Sequence, residues 1–270
     1  MNKRDFLKGL ILFFPAGGVL SALAERATGR ETDGKGAATG DAAAAGGPAK
    51  NGGKKAYDPA EHYYGMGIEV DKCIGCSRCV EACKIENDVP QDPFHFRTWI
   101  ERYVIKKDGE VSVESINVKS RASKETPQEE PDVLRTFFVP KLCNHCAHPP
   151  CVQVCPVGAT FSTKDGVVLI DKDRCVGCRY CIQACPYGVR YLDPRTKTAD
   201  KCTFCYHRVR QGLLPACVEV CPTQARIFGD LKSKASRLVR FSRMNKIHVL
   251  KPALNTEPKV YYADLDGEVR

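Results

Sequence analysis

The sequence predicts an α+β protein whose folded body is organised around cysteines rather than around one large apolar core. Three observations support this prediction. The chain has 270 residues and 16 cysteines, and the cysteines fall into four groups of four. Short loops punctuated by glycine or proline carry these groups. Segments rich in aromatic and β-branched residues, with Asp-Gly turns, lie between the groups and predict β-hairpins.

The first 24 residues are typical of a bacterial export signal. A basic opening at residues 3–8 precedes an apolar stretch that ends in Ala-Leu-Ala at residues 22–24. The opening, Lys-Arg-Asp-Phe-Leu-Lys, is similar to a twin-arginine (Tat) signal with Lys3 in place of the first arginine. An uncleaved anchor is the alternative, although Pro15 interrupts the short apolar segment. We therefore expect a Tat-type signal peptide over residues 1–24 and a periplasmic protein, peripheral to the cytoplasmic membrane.

Residues 25–60 are predicted to form a flexible linker. Between Ala27 and Gly53, 16 of the 27 residues are glycine or alanine, and none is aromatic or a large aliphatic residue. Such a segment cannot bury enough apolar surface to offset its chain entropy. The folded body is expected over residues 61–270, with order beginning near residues 57–68. No apolar run in that body approaches about 20 residues, so no membrane span is expected after signal cleavage.

The 16 cysteines have the spacing of iron–sulfur ligands. Groups one and three follow C-x2-C-x2-C-x3-C, group two follows C-x2-C-x4-C-x3-C, and group four has a longer middle gap. Gly75 and Gly177 allow tight turns beside sulfur, and proline follows the last cysteine of every group except the first, where Lys84 stands. The groups are Cys73, Cys76, Cys79 and Cys83; Cys143, Cys146, Cys151 and Cys155; Cys175, Cys178, Cys181 and Cys185; and Cys202, Cys205, Cys217 and Cys221.

Such groups are typical of paired clusters. Three closely spaced cysteines let one loop cover one face of a [4Fe–4S] cluster. In two-cluster ferredoxins the fourth cysteine of a group binds the other cluster, so the groups function in pairs. The sequence therefore predicts two ferredoxin-like double-[4Fe–4S] modules with inserted β-hairpins, and four [4Fe–4S] clusters in total. Spacing alone leaves open which groups pair.

Zinc sites and disulfides are the competing interpretations of these cysteines. Zinc also binds paired C-x2-C units, but a third closely spaced cysteine has no function in a zinc ribbon. Export favours disulfides, yet cysteine triplets beside glycine and proline make a poor disulfide framework. Both interpretations are therefore weaker than iron–sulfur ligation.

The cysteine count and the charge also exclude classes of function. Sixteen ligands fill four clusters without an open iron position, so His145, His148 and His207 are not needed as ligands. No phosphate loop, nucleotide motif or nucleophile constellation is present, so a non-catalytic electron-transfer protein is predicted. The net charge is +9, and +7 without residues 1–24. Four thiolate-bound clusters would carry roughly −8, so the basic excess compensates buried charge and no nucleic-acid partner is expected.

Hairpins and short helices are predicted between the groups. Residues 94–106 and 111–118 flank one Lys-Asp-Gly turn, and residues 159–162 and 167–170 flank another. Short helices should follow the cysteine loops, for instance near residues 80–85 and 182–185.

Three further segments carry expectations of their own. Residues 120–132 are predicted to form a polar loop. Trp99 is expected in the hairpin core, with stacking on a quinone as the less common alternative. Residues 256–262 are expected either to cover this chain or to dock on a partner as an extended strand.

Combined motifs in these groups resemble a known family. Over residues 62–262 the chain resembles the four-cluster iron–sulfur subunit of the dimethyl sulfoxide reductase family, like the subunits of tetrathionate, thiosulfate and polysulfide reductases and the carrier of formate-dependent nitrite reductase. The motifs are Val-Asp-Lys-Cys-Ile-Gly-Cys at 70–76, Glu-Asn-x-Val-Pro at 86–90, Cys-Asn-His-Cys at 143–146, Lys-Cys-Thr-Phe-Cys at 201–205, Pro-Ala-Cys at 215–217 and Cys-Pro-Thr-x-Ala-x-x-Phe-Gly-Asp at 221–230.

The resemblance implies a relay function. Members transfer electrons between a polytopic, quinone-reactive membrane subunit and a catalytic subunit that often holds a molybdenum or tungsten pterin. A molybdopterin-type catalytic partner and a quinone-linked membrane partner are therefore expected. A free multicluster ferredoxin that shuttles between soluble partners and a zinc-stapled interaction module are the alternative functions.

The resemblance also implies that the outer groups pair with each other and that the inner groups pair together. An outer module would combine residues 68–90 with 200–230, and an inner module would span 140–192, with a hairpin insertion at 91–139 and a C-terminal extension at 231–270. The implied ligand sets are the first set, Cys73, Cys76, Cys79 and Cys221; the second set, Cys83, Cys202, Cys205 and Cys217; the third set, Cys143, Cys146, Cys151 and Cys185; and the fourth set, Cys155, Cys175, Cys178 and Cys181.

Overall fold

The computed structural model describes residues 57–116 and 132–269. The predicted signal peptide, the linker up to residue 56 and nearly all of the predicted polar loop lie outside these residues. Residues 57–60, within the predicted linker range, belong to the folded body. Tyr57 stacks on His62 with 5.3 Å between ring centroids, and Pro59–Glu61 forms one 3-10 turn.

The helices of the described body are short, and most adjoin cysteines. Left-handed residues stand directly before three of them, Ser77 with φ 57°, Arg179 with φ 66° and Cys205 with φ 51°, and turn the chain from loop into helix. The helices are α1 (Arg78–Glu86), α2 (Pro150–Gln153), α3 (Tyr180–Gln183), α4 (Tyr206–Val209), α5 (Ala216–Glu219) and α6 (Arg237–Met244). The helices predicted near 80–85 and 182–185 correspond to α1 and α3, and α3 ends at Gln183.

A four-stranded sheet joins the two ends of the described body. Strand β1 (Tyr64–Glu69) is parallel to the last strand, β11 (Val260–Ala263), and antiparallel to β9 (Arg226–Asp230). Strand β10 (Ile247–His248) completes the order β10-β11-β1-β9. Of the two alternatives for residues 256–262, the structure selects the first, because β11 lies inside this sheet as a strand of this chain.

Helix α6 covers this sheet. Its side chains Leu238 and Phe241 pack with Ile227 and Ala263 in one buried cluster. Ser236 caps the helix, since its Oγ accepts a hydrogen bond from the Leu238 N–H at 3.3 Å. Burial of each of these two large side chains stabilises the fold by about 1.5–3 kcal/mol.

A second sheet has the order β3-β2-β4. Strands β2 (Thr98–Lys106) and β3 (Val111–Ile116) are antiparallel and turn at Asp108, whose carboxylate accepts from the Glu110 N–H at 2.9 Å. The third strand, β4 (Val133–Leu142), was not identified from the sequence, and it crosses the boundary expected between residues 139 and 140. Its Pro140 is tolerated because β4 is an edge strand.

Two small hairpins support the inner cysteines. Strands β5 (Thr160–Ser162) and β6 (Val168–Ile170) are antiparallel, as are β7 (Arg190–Leu192) and β8 (Ala199–Lys201). The largest apolar core lies between the sheets and the cysteine loops, and it includes cysteines together with Met66, Ile68, Val80, Leu142 and Tyr262. None of the helices in the described part of the chain has the length and apolarity that a bilayer crossing needs.

Candidate metal centres

Three cavities in the described body are each lined by four cysteines. The first, second and third sets line cavities with empty volumes of about 310, 280 and 310 Å³, solvent at their mouths included. In each cavity, three cysteines of one group meet the last cysteine of another group. That last cysteine is Cys221 at the first cavity, Cys83 at the second and Cys185 at the third. Pairing of consecutive groups, one with two and three with four, would not place Cys221 in the cavity of the first group or Cys83 in the cavity of the fourth group.

The fourth set lies nearer the surface. Cys181 is buried, Cys155 and Cys175 are half-buried, and Cys178 is exposed. Helices α2 and α3 contact each other, which brings the cysteines that flank them into one region. Backbone N–H groups at Val157, Ala159 and Thr160 lower the pKa of Cys155 although its burial alone would raise it. The site therefore favours a thiolate at Cys155.

Backbone amides donate hydrogen bonds to several sulfurs. The N–H groups of His145 and Phe204 point at Cys143 Sγ and Cys202 Sγ, at 3.5 and 3.4 Å, and both residues have positive φ. The N–H of Ala199 lies 3.4 Å from Cys175 Sγ. Such donors orient and stabilise thiolate ligands of iron–sulfur clusters. The donor set thus fits an anionic cluster better than neutral thiols.

A chain of polar side chains reaches the second set. Arg97 binds the buried carboxylate of Asp200 at 2.9 Å and donates to Asn87 Oδ1 at 2.9 Å. This contact turns the Asn87 amide nitrogen toward sulfur, 3.6 Å from Cys83 Sγ and 3.5 Å from Cys205 Sγ. The network positions one more donor beside this set of thiols.

Burial raises the pKa of six of these thiols in the absence of metal, those of Cys73, Cys83, Cys146, Cys151, Cys202 and Cys217. It raises the pKa of Cys202 to about 12 and those of Cys73, Cys146 and Cys217 to about 11. Metal ligation requires thiolates, so binding of a cluster releases protons and its binding energy becomes folding energy. The described interior holds seven buried basic side chains and three buried aspartates, as expected for a protein that encloses anionic groups.

The sulfurs do not converge on single ions. Among the described residues, no three His, Cys, Asp or Glu side chains come close enough together to hold one metal ion. Cysteines that surround a cavity instead of a point fit a multi-iron cluster better than tetrahedral zinc.

The three histidines near cysteines lie outside the cysteine sets. His145 is fully buried, and its Nδ1 accepts from the Val168 N–H at 3.0 Å, so the ring proton sits on Nε2. Burial, with the charge of Lys201, lowers the pKa of His145 well below its usual value. His148 is exposed beside Glu257, and His207 pairs with Glu86 at 2.6 Å.

Some functional residues were not identified from the sequence. Lys84, at the position of the missing proline, is buried and donates to the carbonyls of Pro90 and Asp92 at 2.8 and 2.6 Å, so it holds the loop after α1. Arg190 and Arg226 are buried beside sulfurs, and Arg190 Nη2 lies 2.9 Å from Cys151 Sγ. A sequence pattern could have identified both arginines. Each lies five residues after the cysteine of a Cys-Pro pair, Arg190 after Cys185 and Arg226 after Cys221.

Comparisons with known proteins agree with this chemistry. Two 4Fe–4S dicluster domain families match residues 72–159 and 134–231. The B subunit of tetrathionate reductase from Salmonella typhimurium is 47% identical over 207 residues, 76% of this chain and 74% of the relative. Protein NrfC of Escherichia coli is 42% identical over 73% of this chain and 79% of its own length. The B chain of polysulfide reductase from Wolinella succinogenes is 37% identical over 73% of this chain and 92% of its length.

Identity at this level over most of both chains is far beyond a shared local motif. The two domain matches together span all four cysteine groups. The family resemblance that the sequence motifs indicated is therefore confirmed. This chain belongs to the iron–sulfur, electron-transfer subunits of the dimethyl sulfoxide reductase family.

Proposed function

We propose that this chain carries four [4Fe–4S] clusters and relays electrons between a quinone-linked membrane subunit and a periplasmic catalytic subunit of the molybdopterin type. The single observation that carries the proposal is the recurrence of four-cysteine cavities, each of which joins two different cysteine groups. Its membership among reductase iron–sulfur subunits supports the relay function. The chain itself is proposed to have no catalytic site.

The ligands are proposed to be the four cysteine sets. Each bound cluster would supply a carrier for one electron at a time. The cysteines of each loop hold one face, and the distant cysteine closes the other, so cluster binding ties separate parts of the chain together. All four cysteines of the second set and three of the four in the third set are buried, which limits the access of water and keeps the local dielectric low.

Successive sets are neighbours in space. Helices α1 and α5 contact each other and carry cysteines of the first two sets. His145 and Phe204, from the loops of the third and second sets, stack with 3.7 Å between ring centroids. Helices α2 and α3 join the third and fourth sets. We infer a linear relay in the order first, second, third and fourth set.

The two ends of this relay are proposed to face the partners. Ile74, in the loop of the first set, is 58% exposed, and Val176 and Tyr180, beside the exposed Cys178 of the fourth set, are 65% and 59% exposed. The second and third sets lie between these ends. Exposed apolar side chains beside the two end sets are consistent with partner contacts there.

The sequence and the relatives support the proposed location and partners. The signal-like first 24 residues support export in a folded state, which cofactor insertion in the cytoplasm requires. The tetrathionate reductase and polysulfide reductase relatives are by name parts of larger reductases. We propose the same kind of assembly for this protein.

Two alternatives make different predictions. A free multicluster ferredoxin would be isolated alone, whereas the proposed subunit co-purifies with a pterin-containing protein or a polytopic membrane protein. A zinc-stapled module would contain about four zinc ions and no labile sulfide.

Metal and sulfide analysis of anaerobically purified full-length protein tests the proposal. We expect about 16 iron atoms and about 16 labile sulfides per chain, with one-electron signals from four centres in the reduced state. A folded protein without iron, or one with zinc in its place, would contradict the proposal.

A further inference from the structure

Three buried basic side chains lie at the junctions between successive cysteine sets. Arg226, Lys201 and Arg190 are exposed by no more than 5%. Their positions along the proposed relay follow from the groups that each one contacts.

Arg226 contacts residues that line the cavities of the first and second sets. It lines the first cavity, and its Nη2 donates at 2.9 Å to Thr98 Oγ1, which lines the second cavity. Its other terminal nitrogen, Nη1, is buried and has no hydrogen-bond partner among the described residues. The thiols that act most strongly on its charge are Cys79 of the first set and Cys217 of the second.

Lys201 occupies the next junction. Its Nζ donates to the carbonyl of Cys202, a second-set ligand, at 2.7 Å and to the carbonyl of Val168, which lines the third cavity. Burial lowers the pKa of Lys201, and among the thiols Cys143 of the third set and Cys202 of the second oppose this shift most strongly. Lys201 is fully buried, so water does not screen this charge.

Arg190 occupies the last junction. Its Nη2 donates to Cys151 Sγ of the third set at 2.9 Å, and its Nη1 lies 3.4 Å from Thr160 Oγ1. Thr160 in turn donates to Cys155 of the fourth set. Arg190 thus connects the ligands of two sets through one guanidinium.

The same short sequence pattern positions both arginines. Residues 185–190 and 221–226 both read Cys-Pro followed by three residues and arginine, and in both the arginine is the first residue of a strand, β7 or β9. At residues 155–160 the same spacing ends in Thr160, the first residue of β5. Covalent spacing therefore fixes each arginine at the edge of the cavity that its own cysteine closes.

We propose that Arg226, Lys201 and Arg190 form a series of buried positive charges, one between each pair of successive clusters, and that each charge raises the reduction potentials of the two clusters that it separates. The inference rests on the proposed function. A thiolate-bound cluster carries about −2 when oxidised and about −3 when reduced, so a fixed cation stabilises the reduced form more. Because each charge lies between two successive clusters, it stabilises the reduced form of both of them.

Redox titration of the full-length, cluster-loaded protein, followed by electron paramagnetic resonance, tests this pattern. Each of Arg226→Gln, Lys201→Gln and Arg190→Gln should lower two of the four potentials, each by at least a tenfold shift in the reduction equilibrium, which is about 59 mV for one electron. Arg226→Gln and Lys201→Gln should share one affected centre, and so should Lys201→Gln and Arg190→Gln. Arg226→Gln and Arg190→Gln should share none.

Matched variants separate charge from packing. Arg190→Lys and Arg226→Lys keep the charge and should keep the wild-type potentials within about twofold in the reduction equilibrium. Lys141→Gln removes a buried charge that is compensated by Glu101 at 3.3 Å, and it should leave all four potentials unchanged. If Arg190→Gln or Arg226→Gln loses iron, the lysine variant at the same position carries the test, and a tenfold shift in it overturns the inference.

The outcomes also separate this inference from the proposed function. Wild-type protein without about 16 iron atoms would contradict the proposed function itself. Fully loaded glutamine variants whose potentials are unchanged, or shift equally in all four centres, would overturn the charge series while leaving the four-cluster relay intact.

Discussion

The rings of His145 and Phe204 stack at 3.7 Å between centroids, with 24° between their planes. Each residue lies two positions after the first cysteine of its loop, has a left-handed backbone, and donates its N–H to that cysteine. The contact therefore joins two cysteine loops from groups that are distant in sequence. It is one of the places where the loops of the second and third sets touch.

Truncation of this contact should destabilise the protein. Phe204 is 1% exposed, so Phe204→Ala should lower the free energy of unfolding by about 3–5 kcal/mol. Thermal melting of anaerobic protein, with iron content, measures the loss. Phe94→Ala is the matched control, because Phe94 is 82% exposed and its truncation should change little. Equal effects of the two substitutions would show that the stacked rings do not stabilise the loops.

A methyl group at Gly177 should disturb the fourth set. The residue has φ +68°, and an added Cβ would lie 2.4 Å from the carbonyl oxygen of Lys197. Gly177→Ala should therefore push away the turn between β7 and β8, which presents Ala199 to Cys175, and about four iron atoms should be lost. Gly188→Ala is the control, since Gly188 has φ +64° but no atom within 4 Å, so it should cost only about 1 kcal/mol of backbone strain and retain iron.

Asp193 should stabilise the same turn at neutral pH. Its buried carboxylate accepts from the Arg195 N–H at 2.8 Å and from the Arg195 guanidinium at 3.2 Å. Burial alone would raise the pKa of Asp193, but these donors hold it below its usual value. Asp193→Asn should therefore cost about 2 kcal/mol at pH 7.

The sign of the pH dependence follows from that lowered pKa. The stabilisation by Asp193 is present above the ordinary aspartate pKa of about 4 and is lost as pH falls through the lower folded value. The difference in melting temperature between wild type and Asp193→Asn should therefore stay constant between pH 6 and pH 9. A difference that grows or vanishes within this range would contradict the assignment of the effect to the Asp193 carboxylate.

Removal of an exposed ligand should cost one centre only. Cys178 is the exposed cysteine of the fourth set, so Cys178→Ala should lower the iron content from about 16 toward about 12 atoms per chain without unfolding the body. Iron and sulfide analysis with thermal melting tests this. Val176→Ala, at a side chain that is 65% exposed, should retain full iron. Loss of all the iron from Cys178→Ala would contradict independent binding by the four sets.

Local features were predictable where they depend on neighbouring residues. The turns of the two predicted hairpins and the helices after the cysteine loops follow from short patterns around Asp108, Asp165, Cys79 and Cys181. Strand β4 was missed, because Pro140 breaks the strand pattern and only an edge position beside β2 makes it acceptable.

The burial of Lys201 could not be predicted from the motif in which it stands. Three repeats place a basic residue directly before a cysteine, at Lys72, Arg174 and Lys201. Lys72 and Arg174 have side chains that are 54% and 71% exposed, whereas Lys201 is fully buried. The same local motif is thus exposed at two positions and buried at the third. Lys201 is buried because strands and loops from elsewhere in the chain surround it.

The amino-acid sequence by itself determined which atoms are available as ligands and how each loop presents three of them, because that spacing is covalent and local. Only the tertiary structure decided which cysteine of another group stands at each cavity, that His145 meets Phe204, and that Arg190, Lys201 and Arg226 are buried beside the cysteine sets. These relationships depend on strand pairing and helix contacts between remote segments, and their energies arise from burial, which no single stretch of sequence contains.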